Sequence, residues 1–589
     1  MGNRARYVGP GLGRGVLNTF PDGSASGVPA AQIYISGRDL TGEQPNEATL
    51  TARLARLSAG DCLLWIAHLQ TRLFSQARPQ DASDLQRRLV EEVLGGTDTG
   101  TVVLRQLALM PDRSVFCEQQ LVHLARLVIA HADRRPRDEF AQGELAEDWA
   151  RCLLEVNDLL DAELDPRDDE QLLSWEIRQC SLNHHEDELP VNAIHHEVYR
   201  VLWPARQDKR SRDAEEAFRR HTGMTVGEYF TIGAATVARL AVRGADQPTL
   251  IPAIKPAEYF SHSELSEQTW RAFFAFAALD LDGLAAELIA EEQMFAATTY
   301  ASLTFERFPL AEIEPGLFAP ISMRSLQRKI TQGVFHALSE AAEADGHDRR
   351  RYVNPFGNVF QQSVEQTLRR GVGFCPENIS ITADVPYGTR TRSRDSTDVI
   401  LGYERNPVFV EVVSGPLQAA TITRGDLCTF ASDSKRLVVK KAEQLDQNIH
   451  AFFAAELQLS GVDPAIVAHA WPVIVTSHPF PHRERIIDAV LSCVRREGHL
   501  TDERIGGLSI VSAEELFFCE GFMQQGKSFL ALIRGWKSGP HPDISFKNYL
   551  IELGGGRAPS STHFEKRYAQ FHAEIIARIA GQSAPTANS

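Results

Sequence analysis

The hydrophobic period of this chain changes near residue 350, and no other feature constrains the fold as strongly. From about 48 to 340, apolar residues recur three and four apart in TLTARLARLSAGDCLLWIAHLQTRLF, EQQLVHLARLVIAHA, EDWARCLLEVNDLLDAEL and SEQTWRAFFAFAALDLDGLAAELIAEEQ. That spacing gives each segment one apolar stripe, the mark of a packed helix. No period of about 34 or 40 residues runs through the region, so a regular solenoid is not expected. After the polar stretch AEADGHDRRRYVNP the texture alters. GNVFQQSVEQTLRR reads as a helix, ENISITADVPYG as a strand, STDVILGYERNPVFVEVVSG as a hairpin, and DSKRLVVKKAEQLDQNIHAFFAAEL as a long helix. AWPVIVTS and GGLSIVS read as strands, RERIIDAVLSCVRREG and AEELFFCEGFMQQGKSFLALIRGW as helices. Strands and helices in this order predict an α/β layer fold.

The expected organisation is therefore multidomain. Residues 1–45, rich in Gly and Pro, form a loosely ordered lead-in, 46–345 a helical domain, and 350–555 an α/β domain; 556–589 hold a C-terminal helix and a disordered tail ending SAPTANS. At 589 residues the chain exceeds one ordinary core. Its 43% hydrophobic and 23% charged residues are those of a soluble globular protein. A net charge of -16 argues against a protein that coats nucleic acid, while leaving room for a local basic patch. No run of about 18 apolar residues predicts a membrane span. The start MGNRARYVGPGLGRG lacks a secretory apolar core, and Arg6 stands where a myristoylation signal needs Ser or Thr, so the expected location is the cytoplasm. The eight cysteines are scattered with no C-x-x-C pair, and are expected as buried thiols.

The hairpin poses the chemical question. Each of its apolar strands carries one carboxylate, Asp398 in the first and Glu411 in the second. Residues two apart share a face, so Phe409, Glu411 and Val413 point one way, Val410 and Val412 the other. A two-residue loop centred on Glu404-Arg405 or on Arg405-Asn406 puts Asp398 opposite Glu411 or Val413, and both registers bring the carboxylates to one face; a three-residue loop separates them. Two like charges on an apolar sheet need a cation between them. A hard divalent ion such as Mg²⁺, which accepts one or two carboxylates plus waters and phosphate oxygens, is the natural partner. The competing reading is a solvated strand edge with no ligand.

The order helix, strand, Asp-bearing strand, Glu-bearing strand, helix with K-x-x-Q-L resembles the PD-(D/E)XK nuclease superfamily, the restriction endonuclease-like fold, over residues of about 350–535. The resemblance implies a central mixed sheet, Asp398 and Glu411 as ligands of Mg²⁺ or Mn²⁺, and the carbonyl of Val412 as a further ligand. Val413 departs from the pattern, because it occupies the position of the family's lysine. The next helix offers a replacement: Lys441 and Gln444, or Lys440 and Gln444, share a helix face, and Lys441 borders more closely the apolar stripe Val438, Ala442, Leu445, Ile449, Phe452. Only 10 of the 61 basic residues are lysines, and three of them, Lys435, Lys440 and Lys441, fall within seven positions. In the first helix, where the family often has a Glu, the chain has Gln361 and Gln362, with Glu365 one turn later as an alternative ligand.

Three other stretches carry weaker signals. GFMQQGKS, residues 521–528, matches the phosphate-loop pattern and would make Lys527 part of a nucleotide switch, but no strand and βαβ series frame it. His184, His185, His195 and His196, with Cys180, lack the spacing of a zinc site and are expected at the surface or core edge. Arg390, Arg392 and Arg394 alternate just before Asp398 and could contact phosphates, or form a solvated strand end. The function expected is metal-dependent hydrolysis of phosphodiester bonds in nucleic acid, with DNA ahead of RNA. The alternative is a catalytically inactive nuclease fold that binds nucleic acid or a protein partner. The helical domain would serve a partner or a homo-oligomer.

Overall fold

The computed structural model describes residues 33–580 except 43–45, 75–81, 111–112, 135–143, 162–167, 184–194, 247–251, 296–302, 384, 390–391, 479, 540–544 and 557. The expected lead-in, most of it, and the tail beyond 580 lie outside the described residues. The rest is a mostly helical, multidomain architecture with several small sheets and one larger mixed sheet.

Among the described residues the helical half holds two large hydrophobic clusters and a small one around Leu64, Ala67, Ala253 and Ala319. Of the large ones, one gathers Leu50 to Val156 with Leu284, Leu288 and Phe305; the other runs from Val198 to Val359 and takes in Phe571 and Ile575. Those last two residues belong to the C-terminal helix Thr562–Ile579, so the end of the chain returns to the helical half. One segment read as a single long helix is broken. Helix Glu267–Ala277 ends in strand Ala278–Asp280, which pairs with Leu310–Glu314, and a new helix starts at Leu281. The reason is local: Asp280 Oδ1 accepts the Gly283 N–H at 2.7 Å, as an N-cap carboxylate does, and resets the helix.

In the second half, α1 (Arg350–Val372) is followed by β1 (Ser380–Thr382), β2 (Val399–Gly402) and β3 (Val408–Val413). Then come α2 (Leu427–Ser434), α3 (Lys440–Phe453), β4 (Trp471–Thr476), α4 (Glu484–Arg496), β5 (Ser509–Ser512), α5 (Ala513–Gln524) and α6 (Phe529–Ser538). The five strands lie side by side in chain order, β1 to β5. β1, β2 and β3 form an antiparallel meander, and the helical crossovers make β3, β4 and β5 parallel. All six residues of β3 and all six of β4 are buried, as expected for strands covered on both faces.

Two cores sandwich this sheet. Val408, Val410 and Val412 face one core with Phe360, Val364 and Leu368 of α1 and the residues of α5 and α6. Phe409 and Val413 face the other, with Ala442, Leu445 and Ile449 of α3 and Ile486 and Val490 of α4. Helix α1 serves two cores, because Tyr352, Val353, Phe356 and Val359 near its start belong to the helical half.

Candidate active site

The hairpin register places the carboxylates. Val410 pairs with Val399 and Phe409 with Ile400, so partner numbers sum to 809, and one further step sets Glu411 across from Asp398. The axis of that register lies between Glu404 and Arg405, although the connection is five residues long, 403–407. Glu411 lies between Phe409 and Val413, on the face covered by α3, and is only 4% exposed. Asp398, in the bend just before β2, is placed beside this face by the Val412 N–H, and the Lys441 charge acts on it.

Two contacts define the centre. The Val412 N–H donates to Asp398 Oδ2 at 2.6 Å. Lys441 Nζ donates to Glu411 Oε2 at 2.7 Å, its side chain 22% exposed. A lysine from α3 thus supplies the cation that Val413, buried in the core, cannot. Burial pushes the Asp398 carboxyl above its ordinary range, while the Lys441 charge and the Val412 N–H hold it back. Lys440 and Gln444 are both exposed to solvent.

The carbonyl of Val412 is turned the same way. In an antiparallel ladder the N–H and C=O of one residue point to one neighbour. Ser477 N–H takes the Val413 carbonyl on the β4 side, and the Val412 N–H goes to Asp398, so the Val412 carbonyl points to the Asp398 side. Asp398, Glu411 and the Val412 carbonyl are the oxygen groups of this hairpin that could hold a hard divalent ion. Glu365 does not join them: its Oε1 accepts from Arg369 Nε at 2.7 Å, one turn along α1. Among the described residues no group of three or more His, Cys, Asp or Glu side chains is gathered for a metal.

Of the three arginines, Arg390 lies outside the described residues. Arg392 and Arg394 sit on a two-stranded hairpin, Pro386–Thr389 with Arg392–Asp395, which stands apart from the main sheet; Arg394 is exposed. The 521–528 stretch does not form a phosphate cradle. Gly521 to Gln524 are the end of α5, and the N–H groups of Gln525, Gly526 and Lys527 bond the carbonyls of Phe522 and Met523, which leaves them unavailable to an anion. It also divides the segment read as one helix into α5 and α6, with Ser528 capping the second. His184 and His185 lie outside the described residues; His196 is buried against Phe571, and burial lowers it to about 4.

Sequence reasoning missed the wide turn of π type at Lys435–Val439, between α2 and α3, where Lys440 N–H bonds the Lys435 carbonyl. Its trace in the sequence is Leu437-Val438-Val439: three consecutive residues are buried, more than one stripe of an α-helix takes. A one-residue insertion rotates the helix beyond it by about 100° relative to an unbroken α-helix. No protein family, curated protein or solved structure matched the chain.

Proposed function

We propose that the protein is a metal-dependent phosphodiesterase acting on nucleic acid, DNA ahead of RNA, with a restriction endonuclease-like α/β domain as its catalytic part. The observation that carries this reading is the bond from Lys441 to Glu411 on the sheet face shared with Asp398. It supports the replacement of a motif lysine by one from the following helix.

Asp398, Glu411 and the Val412 carbonyl would hold Mg²⁺ or Mn²⁺. Such an ion would polarise a phosphoryl oxygen and lower the pKa of a bound water. Lys441 offsets the charge of Glu411 and, with three donors on its ammonium, can also orient a water beside it. Asp398 must be ionised to act as a ligand, and its raised pKa makes that step depend on pH. Exposed Lys440 and Gln444 flank the centre and can meet phosphate oxygens without disturbing the Lys441 pair.

A second reading has its own support. Lys441 already offsets Glu411, the Val412 N–H already bonds Asp398, and Glu365 is engaged with Arg369, so each carboxylate has a protein partner without a metal. On that reading the domain binds nucleic acid or a protein and does not cut. The test is cleavage of single- and double-stranded DNA and RNA by the full chain in Mg²⁺ or Mn²⁺, with EDTA and Asp398→Asn as controls. Cleavage lost in both controls supports the hydrolase; a folded protein that binds but never cuts supports the second reading. Among the described residues no helix is long and apolar enough to cross a membrane.

A further inference from the structure

The carboxylate of Asp433, at the end of α2, is 0% exposed, and it sits where the chain has least need of a charge. Four donors converge on it. Oδ2 accepts the Gln418 N–H at 2.8 Å and the Thr421 hydroxyl at 2.8 Å. Oδ1 accepts Gln418 Nε2 at 3.2 Å and Arg436 Nη2 at 2.7 Å. The same Arg436 nitrogen donates to the Pro416 carbonyl at 2.6 Å. Backbone and guanidinium are so close that a Cβ on Gly415 would lie 2.6 Å from Arg436 Nη1.

These bonds join two pieces of chain. Residues 414–418 continue directly from β3, the strand of Glu411; Asp433 stands two residues before the wide turn Lys435–Val439, Arg436 lies within it, and α3 with Lys441 follows. The wide turn is a rare single-turn insertion that adds one residue to the helix, and the bonds of Asp433 and Arg436 hold its start. Without that extra residue, Lys440 would occupy about the angular position that Lys441 has now.

We infer that Asp433, with Arg436, is the positioning residue of the site: it clamps the exit of the Glu411 strand to the start of the wide turn and so selects Lys441, over its neighbour Lys440, as the partner of Glu411. A buried carboxylate with a full set of donors is costly to disturb, because removing the charge leaves those donors without an acceptor. The role in chemistry rests on the hydrolase reading; the clamp itself does not.

Competitive amine labelling of the full chain at limiting reagent, read by mass spectrometry, tests it with exposed Lys440 as internal reference. In the wild type Lys441 is expected to react severalfold more slowly than Lys440. Glu411→Gln, which frees the ammonium directly, calibrates the signal. Asp433→Asn is expected to raise the Lys441-to-Lys440 ratio severalfold, and so is Arg436→Met, whose side chain is 42% exposed and whose loss the fold tolerates better. An unchanged ratio in either variant, with a native thermal transition and near-UV spectrum, overturns the clamp. Mn²⁺ binding and cleavage are measured separately. A wild type that binds no Mn²⁺ and cuts nothing ends the hydrolase reading while the labelling ratio still decides the clamp. A wild type that cuts should lose kcat, with KM held, in both clamp variants.

Discussion

The two faces of the central sheet differ in kind. The face toward α1, α5 and α6 receives only apolar side chains from β3, Val408, Val410 and Val412. The face toward α3 receives Phe409 and Val413 with Glu411 between them, and Asp398 beside it. A charge is expensive in such a place unless it has a partner. The apolar face is held by area and fit, so any residue of similar shape serves it. The charged face is held by a specific donor, Lys441, and by the Val412 N–H. The two strands thus place their charge on one face of the sheet and leave the other apolar.

The sharpest way to separate the faces is to damage each in turn. Leu401→Ala, on the apolar face and fully buried, should cost ~2–5 kcal/mol of stability, read by chemical denaturation, while leaving Mn²⁺ affinity of the folded protein unchanged. Asp398→Asn should do the reverse. It should lower cleavage at least about a hundredfold with stability kept or slightly raised, since it removes a carboxyl that burial disfavours. A large loss of stability with cleavage retained would dissolve the distinction between the faces.

Lys441→Met tests whether the charged face is balanced by one residue. It removes the Lys441 charge from buried Glu411 and should cost ~1–3 kcal/mol, less than loss of a fully buried charge would, because the lysine is partly exposed. Adding Glu411→Gln should restore most of that loss in a double-mutant cycle. Lys440→Ala, on the exposed neighbour, should stay within about 0.5 kcal/mol. The smallest effect is one of pH. The Asp398 carboxyl is raised in the fold, so the protonated form is favoured there; this contribution to stability is present below the ordinary aspartate pKa of about 4 and is lost as pH rises through the higher folded value. Cleavage should run the opposite way, rising with pH over the same window. Both trends should vanish in Asp398→Asn, and a wild-type profile identical to that of the variant would count against the buried carboxylate.

Much of the site is legible in the linear pattern where it depends on period. The alternation in VFVEVV assigns Glu411 to a face whatever surrounds it, and the register that sets it opposite Asp398 is one of the two that a two-residue loop allows. Lys441 and Lys440 are adjacent candidates in the sequence; the apolar stripe of their helix favours Lys441, and it is Lys441 that pairs with Glu411. Glu365 has the spacing of a ligand on its helix, but Arg369, one turn away, takes it. The break at Asp280 is hidden because the segment keeps a helical period on both sides of it. The 521–528 stretch matches a motif letter for letter and fails on backbone direction, which letters do not encode.

Periodicity and strand alternation are determined by the sequence itself, because the 2.0 and 3.6 residue repeats are properties of a short stretch of backbone. The hairpin register that brings Asp398 to Glu411, the bonds around Asp433 and the double duty of α1 were decided only by tertiary structure. Each depends on contacts between segments far apart in the chain, and the free energy of burying a charge is set by the partner that arrives, not by the residue that carries it.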